Sequence, residues 1–333
     1  MKEIFSAVVL IGMTGTAYSQ SSVTIYGTID GGLVKQTGLA LQVNKRDNNK
    51  IGFRGVEELG NGLKALMHLE MRFEPDTGTV ESGSRPLFQG QSRVGLQGAF
   101  GMVRIGRGLT PFQESSAAFD PWNGVTTPAG FQTDITVAGY TSDPLGPPGN
   151  SRNRFSNAVW YNSPVVKGLQ FNTAVGTREG LVAGAGQAPV YPYSASVTYF
   201  SSTFGAMAAY ERNAADTTIW SVGASIKPTA AIKLMASYQA QDQGATQPFN
   251  SNTTAWLVGA NYSMGSGRVL MGYGRKMPDN IAATRQTSLG YEYTLSVRTN
   301  LYLDASNKRI PAANASVSSR IVKYYSVGMR HHF

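Results

Sequence analysis

The final segment, Ile321-Val-Lys-Tyr-Tyr-Ser-Val-Gly-Met-Arg-His-His-Phe333, alternates along most of its length. Tyr325, Val327, Met329 and Phe333 share the parity of Ile321, while Ser326, Gly328, Arg330 and His332 take the other. A period of two places the sets on opposite faces of a strand, one apolar and one wet. Chain ends usually fray unless something ties them down. A closed sheet supplies that tie, because its last strand pairs with its first and leaves no edge.

The same alternation recurs in segments of about ten residues separated by turn chemistry, the signature of a transmembrane antiparallel β-barrel. Val23, Ile25 and Ile29 oppose Thr24, Tyr26 and Asp30; Ile51 and Phe53 oppose Lys50 and Arg54. After Gly60-Asn61-Gly62, the residues Leu63, Ala65, Met67, Leu69, Met71 and Phe73 oppose Lys64, His68, Glu70 and Arg72. The segments Gln91–Ala99 and Met102–Gly108 form a hairpin across Phe100-Gly101, and eleven more follow to the C-terminus. The tally is sixteen, an even number as single-chain bacterial barrels have, with fourteen or eighteen left open by boundary shifts. Short links such as Phe100-Gly101 and Gly265-Ser266-Gly267 read as periplasmic turns; longer ones such as 36–49 and 75–90 read as external loops.

The connection over 109–152 is out of scale, with Pro111, Pro121, Pro128, Pro144, Pro147 and Pro148 and little alternation. A loop that long needs a job. Its first half, Leu109 to Asp120, mixes acids with small and aromatic residues, which suits packing against a barrel wall. The expectation is a third external loop folded into the lumen.

Parity also selects the side chains that face the lumen. With Ile51 and Phe53 toward lipid, Lys50 and Arg54 face in, as do Lys64, His68, Glu70, Arg72 and Glu74 on the next segment. Val94 and Leu96 outside put Gln91, Arg93 and Gln97 inside; Val103 and Ile105 outside put Arg104 inside. Arg107 has the outward parity, but it follows Gly106 at a strand end, where a bulge would turn it inward. Phe155 and Val159 are expected outside, with Arg152 and Arg154 inside. A charge on the lipid face at mid-depth costs about 2–4 kcal/mol, which favours the inward assignment.

Residues 1–19 read as a secretory signal: Lys2, then the apolar run Ile4–Met13, then the small-x-small site Ala17-Tyr18-Ser19 with cleavage after Ser19. The barrel domain is then 20–333, with no visible internal boundary. Beyond the signal, no apolar run approaches the ~18–20 residues of a spanning helix. The chain has no cysteine, which removes disulfides and thiolate metal sites. Its net charge of +9 fits nucleic acid, an anionic membrane surface or an interior that accepts anions, and the scatter of the basic residues weakens the first of these. His68, His331 and His332 are the three histidines, and no Ser or Asp stands with them at a spacing that makes a catalytic triad. The pattern therefore supports neither an enzyme nor a metal or cofactor.

At these residues the chain resembles the general diffusion porins of Gram-negative outer membranes, most closely the β-proteobacterial type. The resemblance runs from Gln20 to Phe333 and rests on Ser21-Ser-Val-Thr-Ile-Tyr-Gly27, Lys50-Ile-Gly-Phe-Arg-Gly-Val-Glu-Glu-Leu-Gly60, Gly62-Leu-Lys-Ala65, Ser92-Arg-Val-Gly-Leu-Gln-Gly98, Gly106-Arg107 and Val327-Gly-Met-Arg-His-His-Phe333. His331 departs from the family, which usually has an apolar residue there. The resemblance implies a homotrimer of sixteen-stranded barrels, each narrowed by its third external loop. It implies a basic wall cluster of Lys50, Arg93 and Arg154, with Arg152 as an alternate to Arg154, Arg54 and Arg107 as further basic wall positions, and Glu70 as a wall acid. Glu114 and Asp120 are the acidic candidates on the loop.

The expected function is passive diffusion of small hydrophilic solutes and ions through a water-filled outer-membrane channel, with a preference for anions. Outer-membrane lipids and lipopolysaccharide are the expected surroundings. A substrate-specific channel for phosphate or an organic acid, and a non-conducting structural or adhesive barrel, are the alternatives of the same fold.

Overall fold

Alternation becomes seventeen strands in one continuous sheet. The computed structural model describes residues 21–81, 86–145, 152–179, 189–243, 252–312 and 319–333. The expected leader, 1–19, lies outside the described residues. The first strands are β1 (Ser22–Gln36), β2 (Gln42–Asn44), β3 (Lys50–Gly60), β4 (Leu63–Arg72), β5 (Gln91–Gly98) and β6 (Gly101–Leu109). A short helix, α1 (Pro111–Ser116), opens the long third connection. The wall resumes with β7 (Arg154–Asn162), β8 (Leu169–Gly176), β9 (Tyr193–Phe200), β10 (Phe204–Arg212), β11 (Thr218–Ile226) and β12 (Ile232–Asp242). It ends with β13 (Thr253–Met264), β14 (Gly267–Pro278), β15 (Thr284–Thr294), β16 (Thr299–Ile310) and β17 (Arg320–His332).

Sixteen of these strands form the barrel wall, and β2 is an extra three-residue strand in the first external loop, paired with β1. Closure runs through β1. Its residues Ser22–Thr28 pair with β3, and Thr28–Gln36 pair with β17. The terminal carbonyl of Phe333 accepts from Gly27 N at 3.0 Å, and Phe333 N donates back to Gly27 O at 3.2 Å. Glycine is required at 27, because a Cβ there would lie 2.5 Å from the backbone carbonyl of Lys50, besides 2.3 Å from Phe333 Cζ.

The outer face is apolar and exposed, with Val23, Ile25, Val94, Ile105, Leu303 and Val327 among its members. The core lies inside, between the third loop and the inner wall. Phe112, Phe119, Trp122, Phe131, Ile135 and Tyr140 from the loop are buried against Ile219, Leu257 and Leu270 from β11, β13 and β14. Inner-wall glycines make room for them. A Cβ at Gly259 would meet Pro121 Cγ at 2.2 Å, and one at Gly272 would meet Phe131 Cε2 at 2.4 Å. The third loop thus lies in the lumen, against the β9–β14 side.

Phe155 departs from expectation. It is buried with Ala158, Trp160 and Ala174 instead of facing lipid. The pairing of β6 with β7 slips between Gly106 and Gly108, and Asn157 has φ of 49°, so parity counted through this stretch fails. The same bulge turns Arg107 inward, as Gly106 suggested, with φ of 131° at that glycine.

Candidate functional site

Opposite the loop, β3 to β7 present basic side chains to the lumen. Lys50 and Arg54 on β3, Arg72 on β4, Arg93 on β5, Arg104 on β6 and Arg154 at the start of β7 line one cavity of about 440 Å³. Two carboxylates share it, Glu70 from β4 and Glu114 from α1. The lining is therefore six cations to two anions. Thr110 starts α1: its Oγ1 accepts from Gln113 N at 3.4 Å, and Pro111 takes the first helical turn. That start leaves Glu114 exposed toward the basic wall while Phe112 and Gln113 are buried.

Packing holds the guanidiniums in place without neutralising them. Arg93 Cζ sits 5.3 Å from the Trp160 ring centroid. Gly108 gives it space, since a Cβ there would fall 2.6 Å from Arg93 Cζ. Arg93 Nε and Nη1 are shielded from solvent and make no hydrogen bond among the described residues. Arg104 Nη2 donates to Asn162 Oδ1 at 2.7 Å, but its Nε has no partner. Arg154 Nε donates to Gly90 O at 2.7 Å, and Nη1 to Asn153 Oδ1 at 2.6 Å. Arg54 lies 4.2 Å over the Tyr26 ring. Tyr26 Oη donates to Glu70 Oε2 at 2.9 Å and lies 2.5 Å from His68 Nε2. Glu70 is thus committed within the wall, and Arg72 Nε stands 3.6 Å from its other oxygen.

Three expected site residues lie apart from this cluster. Arg107 and Arg152 line an adjoining cavity with Arg72, Arg154, Gln89 and Gln113, beside residues of the external loops. Arg107 Nε donates to Gln89 O at 3.0 Å and Nη1 to Ser156 Oγ at 2.5 Å. Asp120 is fully buried inside the loop and off the cavity. Its oxygens accept from Trp122 N at 3.0 Å and Phe131 N at 3.3 Å. Burial pushes the Asp120 carboxyl up to about 6, against the downward pull of those amides. Conversely, Arg72 and Arg104 belong to the cluster although sequence reasoning set them no closer than the inner face. Gly95, opposite Arg104 in register, was the available signal: a Cβ there would lie 2.8 Å from Arg104 Cγ.

The loop is pinned on its far side. Asp134 pairs with both Lys276 and Lys308. Burial raises the Asp134 carboxyl, but Lys308 and Lys276 more than offset that and hold it below the ordinary range. Trp122 Nε1 donates to Asp304 Oδ1 at 2.9 Å, and Asp304 Oδ2 accepts from the buried Arg46 Nε at 2.8 Å. Arg46 also reaches Glu292 at 2.5 Å. These ties leave the cavity between α1 and the basic wall open.

The model of one family, Gram-negative porin, matches residues 6–310. The chain belongs to the Gram-negative porin family. It is an outer-membrane β-barrel channel. This porin is 27% identical over 326 residues to outer membrane porin protein 32 of Delftia acidovorans, covering 91% of this chain and 88% of that one. It is 25% identical to an outer membrane porin protein of Bordetella pertussis over the full length of both. An anion-selective porin from Comamonas acidovorans shares its fold, with a TM-score of 0.82 at 24% identity over 94% of this porin and 100% of that chain. The trimer form of OmpT from Vibrio cholerae follows the same fold, with a TM-score of 0.69 at 13% identity over 94% of this porin and 99% of that chain.

Proposed function

We propose that this porin works as a homotrimer whose barrels each pass small hydrophilic solutes by passive diffusion, preferring anions at a constriction between Glu114 and the basic wall. One observation carries the sign: six cationic side chains face two carboxylates, and shielded nitrogens of Arg93 and Arg104 have no partner among the described residues. Lys50, Arg54, Arg93 and Arg154 attract the anion, Arg72 and Arg104 add to the field, and Glu114 sets the opposite edge. Arg107 and Arg152 form an approach from the outer side. A sixteen-stranded barrel leaves an aqueous channel, so transport needs no conformational step. The anion selectivity of the Comamonas acidovorans porin supports the sign, and the trimer form of the Vibrio cholerae OmpT supports the assembly. Outer-leaflet lipid and lipopolysaccharide surround the apolar belt.

The reversal potential across a planar bilayer in a KCl gradient tests this directly. The expected sign is that of an anion-selective pore. A zero or cation-selective potential overturns the preference, and an absent conductance with folded trimer overturns the channel. Saturable conductance with phosphate or an organic acid would mark a substrate-specific channel instead.

A further inference from the structure

The inner faces of β14, β15 and β16 are fixed by the constriction loop. Lys276 and Lys308 pair with Asp134, and Gln286 Nε2 donates to Gly130 O at 2.9 Å. Arg275, Arg285 and Arg309 are the sequence neighbours of those residues, so they point to the opposite face, outside the barrel. They are also in register. Arg275 stands directly across from Arg285, and Arg285 directly across from Arg309. Adjacent strands lie roughly 4.8 Å apart. Like charges directly opposite one another destabilise a sheet. Among the described residues no carboxylate pairs with any of the three, and Arg275 Nε is shielded with no hydrogen-bond partner. The contrast is Arg212, at the outer end of β10, which Asp216 neutralises at 2.6 Å.

The row lies where the lipid band ends. Going up β16, the outward residues are Leu301, Leu303, Ala305, Asn307 and then Arg309. On β17 the outward series from the periplasmic end is Met329, Val327, Tyr325 and then Lys323, which is opposite Asn307. Trp256 faces Arg275 across the β13–β14 pair, and aromatic residues of this kind mark the interfacial zone of a barrel. Repulsion built into the wall at headgroup depth, with no relief from the described residues, calls for an anion from outside. Guanidinium forks match phosphate oxygens two at a time.

We propose that Arg275, Arg285 and Arg309, with Lys323 beside them, form a docking site for the phosphate groups of a phosphorylated glycolipid in the outer leaflet. The acyl chains of that lipid lie along Leu303, Leu289 and Tyr325 below. A lipid, and not free phosphate, is the occupant because the row borders an exposed apolar face that acyl chains cover. The proposal rests on the outer-membrane channel reading, which places these strand ends at the outer leaflet.

The test uses full-length mature protein refolded in detergent without lipopolysaccharide. The probe is bis-phosphorylated lipid A, with its fully dephosphorylated form as comparison, and retention is read by mass spectrometry after gel filtration. Wild type should retain the phosphorylated form, and R275Q/R285Q/R309Q should bind it at least about tenfold more weakly, the equivalent of one charge-assisted contact. R93Q, inside the lumen, should retain it like wild type. Equal retention by the triple variant, or equal retention of the dephosphorylated form, overturns the site. Displacement of the lipid by millimolar inorganic phosphate would show that the site takes the free ion and also overturns the proposal. Should the triple variant fail to fold, R285Q alone carries the same comparison. Bilayer conductance of the same preparations separates the two readings: a conducting triple variant that keeps its lipid sinks this site only, and a non-conducting wild type sinks the channel.

Discussion

Arg93→Glu is the sharpest perturbation of the proposed constriction. The cavity is lined by six basic and two acidic side chains, so the exchange lowers the net lining charge from four to two. One unit charge at ~5 Å from a permeating ion is worth about 0.8 kcal/mol in bulk water. A Debye length of ~8 Å at physiological salt cuts this to roughly half. Two units then cost a monovalent anion about 0.9 kcal/mol and favour a cation by the same amount. The anion-to-cation permeability ratio should fall roughly twentyfold. It should not invert, because the remaining lining is still positive. Arg93→Gln removes one unit and should lower the ratio about fourfold. Lys227→Glu, in an exposed turn between β11 and β12, changes the chain's charge by the same two units outside the constriction. Reversal potentials of the three variants in a KCl gradient give the answer. Equal shifts from Arg93→Glu and Lys227→Glu would mean that the overall positive field selects, and the constriction assignment would be refuted.

Asp134→Asn should loosen the third loop, because it removes the shared partner of Lys276 and Lys308; open-channel current noise should rise while the barrel stays heat-resistant. The folded carboxyl lies below its ordinary value, so its stabilisation is present above the unfolded pKa of ~3.9 and is lost as pH falls through the lower folded one. Current noise in wild type should therefore stay flat from neutral pH to about 4 and rise only in stronger acid; a rise near pH ~6 would contradict the latch. Deleting Phe333 removes the ring packed against Gly27 and both terminal backbone bonds. Membrane-inserted protein should drop while the unit conductance of surviving pores stays unchanged, and normal insertion on heat-modifiable gels would refute a closing role for that residue.

The wall was readable because a strand demands little: one polar-apolar period, maintained across a membrane, settles which way each side chain points. Lys50, Arg54, Arg93 and Arg104 followed from that rule alone and reach the same cavity. The rule fails where the pairing slips. Around Gly106 to Asn157 the bulge moved Arg107 inward and buried Phe155, and only the glycine before Arg107 hinted at it. Acidity alone also failed to separate the loop carboxylates. Glu114 and Asp120 stand six positions apart, yet one faces the lumen from a helix and the other accepts amide bonds inside the loop. Nothing in composition distinguishes a carboxylate that meets solute from one that folds its own backbone.

The side on which the loop lands, by contrast, left a trace in the sequence. Lumen positions of a water-filled barrel should be polar, but β11, β13 and β14 place Ile219, Leu257 and Leu270 there, with Gly223, Gly259, Gly272 and Gly274 between them. Apolar side chains facing water are unfavourable, and glycines without packing weaken a strand. Both make sense only if something apolar covers them, and Phe119, Pro121, Phe131 and Ile135 do so. Once the loop is committed to that half of the lumen, the half from β3 to β7 remains open to solute. If that half is the constriction proposed above, its surplus of cations acts where a few ångströms of distance give each charge its greatest effect. On that proposal selectivity depends on the apolar track as much as on the arginines: the track decides which wall an ion must pass.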